Sequence, residues 1–325
     1  MAGDIGEGDA VVIGQGDVVG AAGQPQAGRV GRPALGRRAL LLGALRGLVV
    51  FAAIAVAGVA LGLLGHWFGS HALPTIAVGF NPEDVALDPA AHRAYVTGGN
   101  TVTVIDTRNN AVATTVRVGL DPIGVALDPA MHRAYVTSGN AVAVIDTSEN
   151  VLVAAIAMRP SPAGVALDPA AHRAYVAHAF SNSVSVLDTD RNAVVTVAAV
   201  GAPNSLGADP GSVAVDSAAH RAYIAHFYGA SVSVLDTDLD AAIATIPVGA
   251  FPTGVAVDPA AHRAYVANSG GDSVSVLDTR RNVVVATIPV GSKPLAVAVN
   301  SATHRVYVTN HLGNSVSVLE GGTGN

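Results

Sequence analysis

The chain has 325 residues, half of them hydrophobic and 13% charged, with a net charge of −6 and no cysteine. That is enough apolar content for one large domain plus appendages, and the missing cysteine excludes disulfides, thiolate metal sites, a cysteine nucleophile and thioether haem attachment. Residues 71–325 carry 13 basic against 20 acidic side chains, a net of −7, so the body is a poor electrostatic match for a phosphate backbone and no nucleic-acid partner is expected.

Residues 1–38 are rich in Gly, Ala and Asp and then in Gln, Pro and Arg, with no sustained hydrophobic period. This composition predicts a disordered tail. Residues 39–68 follow as a candidate transmembrane signal-anchor helix. Its core, Gly47 to Phe68, is uncharged apart from His66 and closes on Trp67. It has about the 20 residues a spanning helix needs. Arg29, Arg32, Arg37, Arg38 and Arg46 precede it, which predicts a single-pass protein with the N-terminus cytoplasmic and the remainder extracytoplasmic. The alternative is secretion after signal cleavage, with Ser70-His71-Ala72 as a small-x-small site. Residues 69–73 form a short linker.

From residue 74 to 320 the chain repeats. The stretch Leu87-Asp88-Pro89-Ala90-Ala91-His92-Arg93-Ala94-Tyr95-Val96 returns five more times, placing His92, His132, His172, His220, His262 and His304 at steps of 40, 40, 48, 42 and 42 residues. Within the unit Pro252 to Val290, four short Val- and Tyr-rich segments alternate with turns: Gly254–Asp258, Arg263–Ala267, Ser273–Asp278 and Val283–Val290. Four strands per 40–45 residues is the pattern of a β-propeller blade. Six units predict an all-β, six-bladed propeller of four-stranded blades. Residues 321–325 are a disordered C-terminus.

Val306-Tyr307-Val308-Thr309-Asn310, Ala94-Tyr95-Val96-Thr97, the repeated Ser-Val-Ser-Val-Leu-Asp-Thr and Ala286-Thr287-Ile288-Pro289-Val290-Gly291 resemble the YVTN-type β-propeller repeat of YncE-like proteins. The resemblance implies blades whose first strand is innermost. It also implies one face built from the Pro-Ala-Ala-His and Asp-Thr-x-x-Asn turns, and an opposite face built from Gly-rich and inter-blade loops. Pro74-Thr75-Ile76-Ala77-Val78-Gly79 matches the fourth-strand sequence that the sixth unit lacks, so the N-terminal strand is expected to close the last blade. Gly69 to Leu73 reach about 17 Å at most, which would turn an anchored propeller's turn face towards the membrane.

The six repeated histidines lie one per blade, far apart around a ring, whereas metal ligation or base catalysis needs convergence; they are expected to serve the turns. Asp88, Asp128, Asp168, Asp216 and Asp258 are expected to form Asx-type turns, as are Asp106, Asp146, Asp188, Asp236 and Asp278. Departures from the repeat point to the loop face instead: His178, Phe180, His226, Phe227, Tyr228 and His311, with a lengthened loop from Gly201 to Gly211 carrying Asn204, Ser205 and Asp209. These residues suit a pocket for a protein, peptide or carbohydrate. A metal held by His178, His226 and His311 is the weaker alternative, and no cofactor is expected. Since no Ser-His-Asp order, zinc motif or phosphate loop stands out, a membrane-anchored binding or interaction scaffold is expected. A lactonase- or lyase-like enzyme, with its site on the loop face, is the alternative.

Overall fold

A computed structural model describes residues 75–201 and 210–321. The tail over 1–38, the expected membrane span over 39–68, the linker 69–73, most of the lengthened loop and residues 322–325 lie outside the described residues. No helix among the described residues is long and apolar enough to cross a membrane.

The described chain is six antiparallel sheets, each an uninterrupted meander. Blade 1 contains β1 (Pro82–Asp88), β2 (Arg93–Gly98), β3 (Thr101–Asp106) and β4 (Ala111–Arg117); blade 2 contains β5 (Pro122–Asp128), β6 (Arg133–Ser138), β7 (Ala141–Asp146) and β8 (Val151–Ala157). Blade 3 follows as β9 (Pro162–Asp168), β10 (Arg173–His178), β11 (Ser183–Asp188) and β12 (Ala193–Ala199), and blade 4 as β13 (Pro210–Asp216), β14 (Arg221–His226), β15 (Ser231–Asp236) and β16 (Ala241–Pro247). Blade 5 is β17 (Pro252–Asp258), β18 (Arg263–Asn268), β19 (Ser273–Asp278) and β20 (Val283–Pro289). Blade 6 has three strands, β21 (Pro294–Asn300), β22 (Arg305–Asn310) and β23 (Ser315–Glu320). The sheets form a six-bladed β-propeller.

Turn chemistry sets the blades. Each repeated histidine sits in the left-handed region, with φ between 50° and 55°, and so do Asn110, Asn150, Asn192, Asp240 and Asn282 in the second hairpin. Polar residues tolerate this conformation where β-branched ones do not. The aspartates close the same turns: Asp88 Oδ1 accepts the Ala91 N–H at 2.9 Å, and Asp106 Oδ1 accepts the Arg108 N–H at 2.9 Å. The two hairpins of a blade are then joined, as when Thr107 N–H donates to the His92 carbonyl at 3.0 Å. Both expected turn roles are therefore met.

The core lies between blades. Val116 and Val118, at and just beyond the end of β4, pack with Val125, Ala134, Val136 and Ile145 of blade 2. Val200 and Ala198 do the same against blade 4, and Ile246 and Val248 against blade 5. The buried second-strand tyrosines of blades 1 and 2 add a polar tie. Tyr95 Oη donates to the Thr147 carbonyl of blade 2 at 3.4 Å, and Tyr135 Oη to the Thr189 carbonyl of blade 3 at 3.1 Å. First strands approach closely around the centre, and Gly124 is needed there: an added Cβ would lie 2.8 Å from the Ala163 carbonyl of the next blade.

The expected closure of the last blade is not formed. Residues 75–79 carry no strand and make no ladder with β23. Instead Ile76 and Val78 pack on Val85, Ala94, Val96 and Ile105 of blade 1, and the Val78 carbonyl accepts a 2.7 Å bond from Thr103 Oγ1. At complete junctions the outgoing strand both pairs with its own third strand and inserts aliphatic side chains into the next blade. The sequence match reports the second role, which needs blade 1 alone. Among the described residues β23 pairs on one side alone, with Val316 and Val318 exposed where Val102 and Val104 of β3 are buried. Nor does β21 pack on β1 as the five successive first-strand pairs do.

The inter-blade tie is testable. Tyr135→Phe is expected to cost about 1 kcal/mol and Tyr135→Ala about 3–5 kcal/mol in chemical denaturation. Equal stability of Tyr135→Phe and the parent would remove the hydroxyl from the account.

Candidate functional site

In blades 3, 5 and 6 the loop face is assembled by hydrogen bonds between the incoming inter-blade segment and the loop after the second strand. Ala179 N–H donates to Ser161 O at 2.9 Å, Ser269 N–H to Phe251 O at 3.0 Å and His311 N–H to Lys293 O at 2.9 Å. These bonds set the last residue of the second strand beneath the face. The slot holds Gly98, Ser138, His178, His226, Asn268 and Asn310 in blades 1 to 6. Each pairs with the first proline of its blade, for example His178 with Pro162 and His226 with Pro210.

His178 and His226 are therefore fully buried. Their Nε2 atoms each lie 2.8 Å from a third-strand serine hydroxyl, Ser185 and Ser233 respectively. Asn268 and Asn310 make the same bond in their blades, donating Nδ2–H to Ser275 and Ser317 at 2.9 Å. Burial pushes the His226 imidazole down to about 4 and also lowers His178, with the nearby Arg159 charge adding a smaller push in that direction. Both rings are neutral packing groups, closed off from a ligand on the face above.

His311 is half-buried and occupies the following position, the equivalent of Phe227 and not of His226. The three histidines do not come together, and among the described residues no group of three His, Cys, Asp or Glu is placed to hold a metal ion.

The aromatic residues behave differently. Phe180 and Tyr228 project from the face, while Phe227 is half-buried beneath Tyr228 in an edge-on contact, ring centres 4.9 Å apart. Phe251, from the segment leading into blade 5, completes a cluster: its ring centre is 5.2 Å from Phe227 and 6.4 Å from Tyr228. Its ring lies over Gly270, where any side chain would collide with it. Around the same face stand Phe80, Leu120 and Leu312. Phe80, Leu120, Phe180, Tyr228, Phe251 and Leu312 are between 44% and 77% exposed, one from each of the six blades or the segment leading into it. The repeat signal missed Phe80, Leu120 and Phe251. Phe80 and Leu120 directly follow Gly79 and Gly119, and Phe251 stands before Pro252 where the other segments have Asn81, Asp121, Ser161 and Lys293; the same search for departures would have found them.

One charged group stands apart from the turn face. Asp84 of β1 occupies the position held by Gly124, Gly164, Ser212, Gly254 and Ala296 in the other first strands. Its Oδ1 accepts the Val85 N–H at 2.8 Å and its Oδ2 the Val125 N–H of the next blade at 3.0 Å. Desolvation raises this carboxyl to about 6, against the pull of those two donors.

The fold and face together define a β-propeller whose loop face carries exposed apolar side chains beside charged ones such as Asp121, Arg159 and Asp272. No family model matches the chain, and no curated protein matches it in sequence. Among solved structures it is similar to hydrazine synthase of Kuenenia stuttgartiensis, with a TM-score of 0.51 and 18% identity over 79% of this chain and 99% of that one. A likeness at that identity is one of architecture, and propellers carry many unrelated activities.

Asp84 gives a pH prediction. Its folded value lies above the 3.8 of a free carboxyl, so its contribution is fully present below that value and is lost as pH rises through about 6. Asp84→Asn keeps the shape without the charge. It is expected to be more stable than the parent by about 1 kcal/mol near pH 7, the gain being reduced because the side chain is half-buried and one acceptor is lost. The advantage should vanish near pH 4. Thermal melts across this range check it, and a gain that persists at low pH would contradict the assignment.

Proposed function

We propose that the chain is a YVTN-type propeller that serves as an extracytoplasmic, membrane-anchored binding module, taking an apolar protein or peptide surface on its loop face. The observation that carries this reading is the crown of Phe80, Leu120, Phe180, Tyr228, Phe251 and Leu312. Scattered exposed apolar residues are ordinary, but one large side chain per blade on a single face is what an interaction surface offers. The Phe227–Tyr228–Phe251 cluster supplies rigid aromatic area at its strongest point, the kind of residue that dominates binding energy. Anchoring rests on the apolar run from Gly47 to Phe68, preceded by five arginines.

A lactonase- or lyase-like activity relied on His178, His226 and His311, and two of these are sealed in the blade interior. The binding reading needs none of them.

A ligand screen of the body, residues 71–325, against peptide and glycan collections tests this. Tyr228→Ala combined with Phe251→Ala is expected to weaken the selected ligand at least about tenfold, with the melting temperature little changed because both residues are exposed. Retained affinity in that variant, alongside loss on substituting turn-face arginines, would move the site to the opposite face. Detection of the intact N-terminus in membrane fractions supports the anchor, whereas a mature chain starting near Leu73 would replace it with secretion.

A further inference from the structure

The second-to-third-strand loops of blades 3, 4 and 5 share one design. In each, the slot residue holds the start of the loop, and its carbonyl receives the N–H from three residues on: Ser181 to His178 at 3.4 Å, Gly229 to His226 at 3.1 Å and Gly271 to Asn268 at 3.1 Å. The slot side chain is tied below to the third strand, through Ser185, Ser233 or Ser275. Blades 3 and 4 use an imidazole for this and blade 5 an amide. The amide cannot take a proton at any ordinary pH. The imidazole can, and then has two N–H donors to place.

For His226 the slot offers one partner among the described residues, the Ser233 hydroxyl, which already accepts the Gly201 N–H at 2.8 Å. Its Nδ1 is buried without a hydrogen-bond partner. The groups facing it are Ser231 and Ser233 of β15 and the backbone at Gly201, and burial alone governs its protonation, with no carboxylate contributing among the described residues. His178 faces Ser183 and Ser185 of β11 and the backbone at Arg159 and Pro160; burial, the larger effect, opposes its protonation, those backbone groups favour it, and the Arg159 charge adds a smaller opposition. A buried cation with no counter-ion is unfavourable enough that the side chain must leave the site.

We propose that His178 and His226 are acid-released latches on the binding face: protonation expels each imidazole from its slot and frees the loop carrying Phe180, or Phe227 and Tyr228, while the amide-held loop of blade 5 stays closed. Its significance as regulation rests on the loop face being the binding face; the latch itself does not. The aromatic cluster is dismantled on one side only, because Phe251 remains fixed over Gly270 beside Asn268.

Amide hydrogen exchange of the full chain, resolved by residue and corrected for intrinsic rates, provides the test. Gly229 reports the histidine-held loop and Gly271 the amide-held loop of the same molecule. Between pH 7 and about pH 4, Gly229 is expected to lose protection at least about tenfold relative to Gly271. His226→Asn, which installs the residue blade 5 already uses, is expected to make the two amides respond alike. Equal loss at Gly229 and Gly271 in the parent, or the same loss at Gly229 in His226→Asn, overturns the latch. Should that variant fold poorly, the parent alone decides through its imidazole resonances: titration of the His226 ring at about the free value of 6.5 overturns the proposal, and a midpoint well below it, coincident with the loss at Gly229, supports it. No ligand enters either readout, so failure of the binding-face reading, seen with Tyr228→Ala and Phe251→Ala, is distinguishable from failure of the latch.

Discussion

A blade of this chain cannot bury both of its faces by itself. Each depends on aliphatic side chains delivered by the strand that precedes it, Val116 and Val118 into blade 2 or Ile246 and Val248 into blade 5. This is the nearest-neighbour logic of repeat proteins, in which one unit's stability is largely its neighbour's contribution. Much else follows from it. Alternate residues at the end of each outgoing strand must be apolar, and the central wall must accept close backbone approach, which is why Gly124 and Gly164 have no room for a side chain. Ile76 and Val78 obey the same requirement at blade 1 without any ladder of their own.

What could be read from the sequence divides along this line. The blade meander was legible because strand period, turn residues and inter-blade insertion all repeat, so that six copies corroborate one another. The turn role of the six histidines was legible too: one per blade excluded convergence, and their left-handed φ values meet that expectation. Closure of blade 6 was not, since Pro74–Gly79 carries the sequence of an outgoing strand, and the same residues serve insertion and pairing. Only coordinates separate the two.

The loop face was half legible, for a different reason. Departure from the repeat drew attention to blades 3 and 4, but departure does not say whether a side chain points up or in. His178 and Phe180 are two residues apart, and the first ends a strand inside the blade while the second sits at φ 67° on the surface. The slot holds His or Asn in the four blades whose third strand offers a serine, Ser185, Ser233, Ser275 and Ser317, and Gly98 or Ser138 where that strand has Thr103 or Ala143. A histidine standing where its neighbours have asparagine is thereby a packing residue with one extra property, a titratable proton, and not a misplaced ligand.

The two faces also differ in how completely their groups are spoken for. On the turn face, Asp106 pairs with Arg108, Asp146 with Arg133 and Asp236 with Arg221, and the same carboxylates close their own turns through backbone N–H groups. A partner binding there would have to replace bonds already made, with little net gain from exposed ion pairs. On the loop face, beside charged groups such as Asp121, Arg159 and Asp272, stand large apolar side chains that are exposed. Covering them releases water without breaking any polar contact, at roughly 25 cal/mol for each Å² removed from solvent. The regularity that builds the propeller consumes the polar chemistry of one face, and the irregular positions leave the other with surface still to bury.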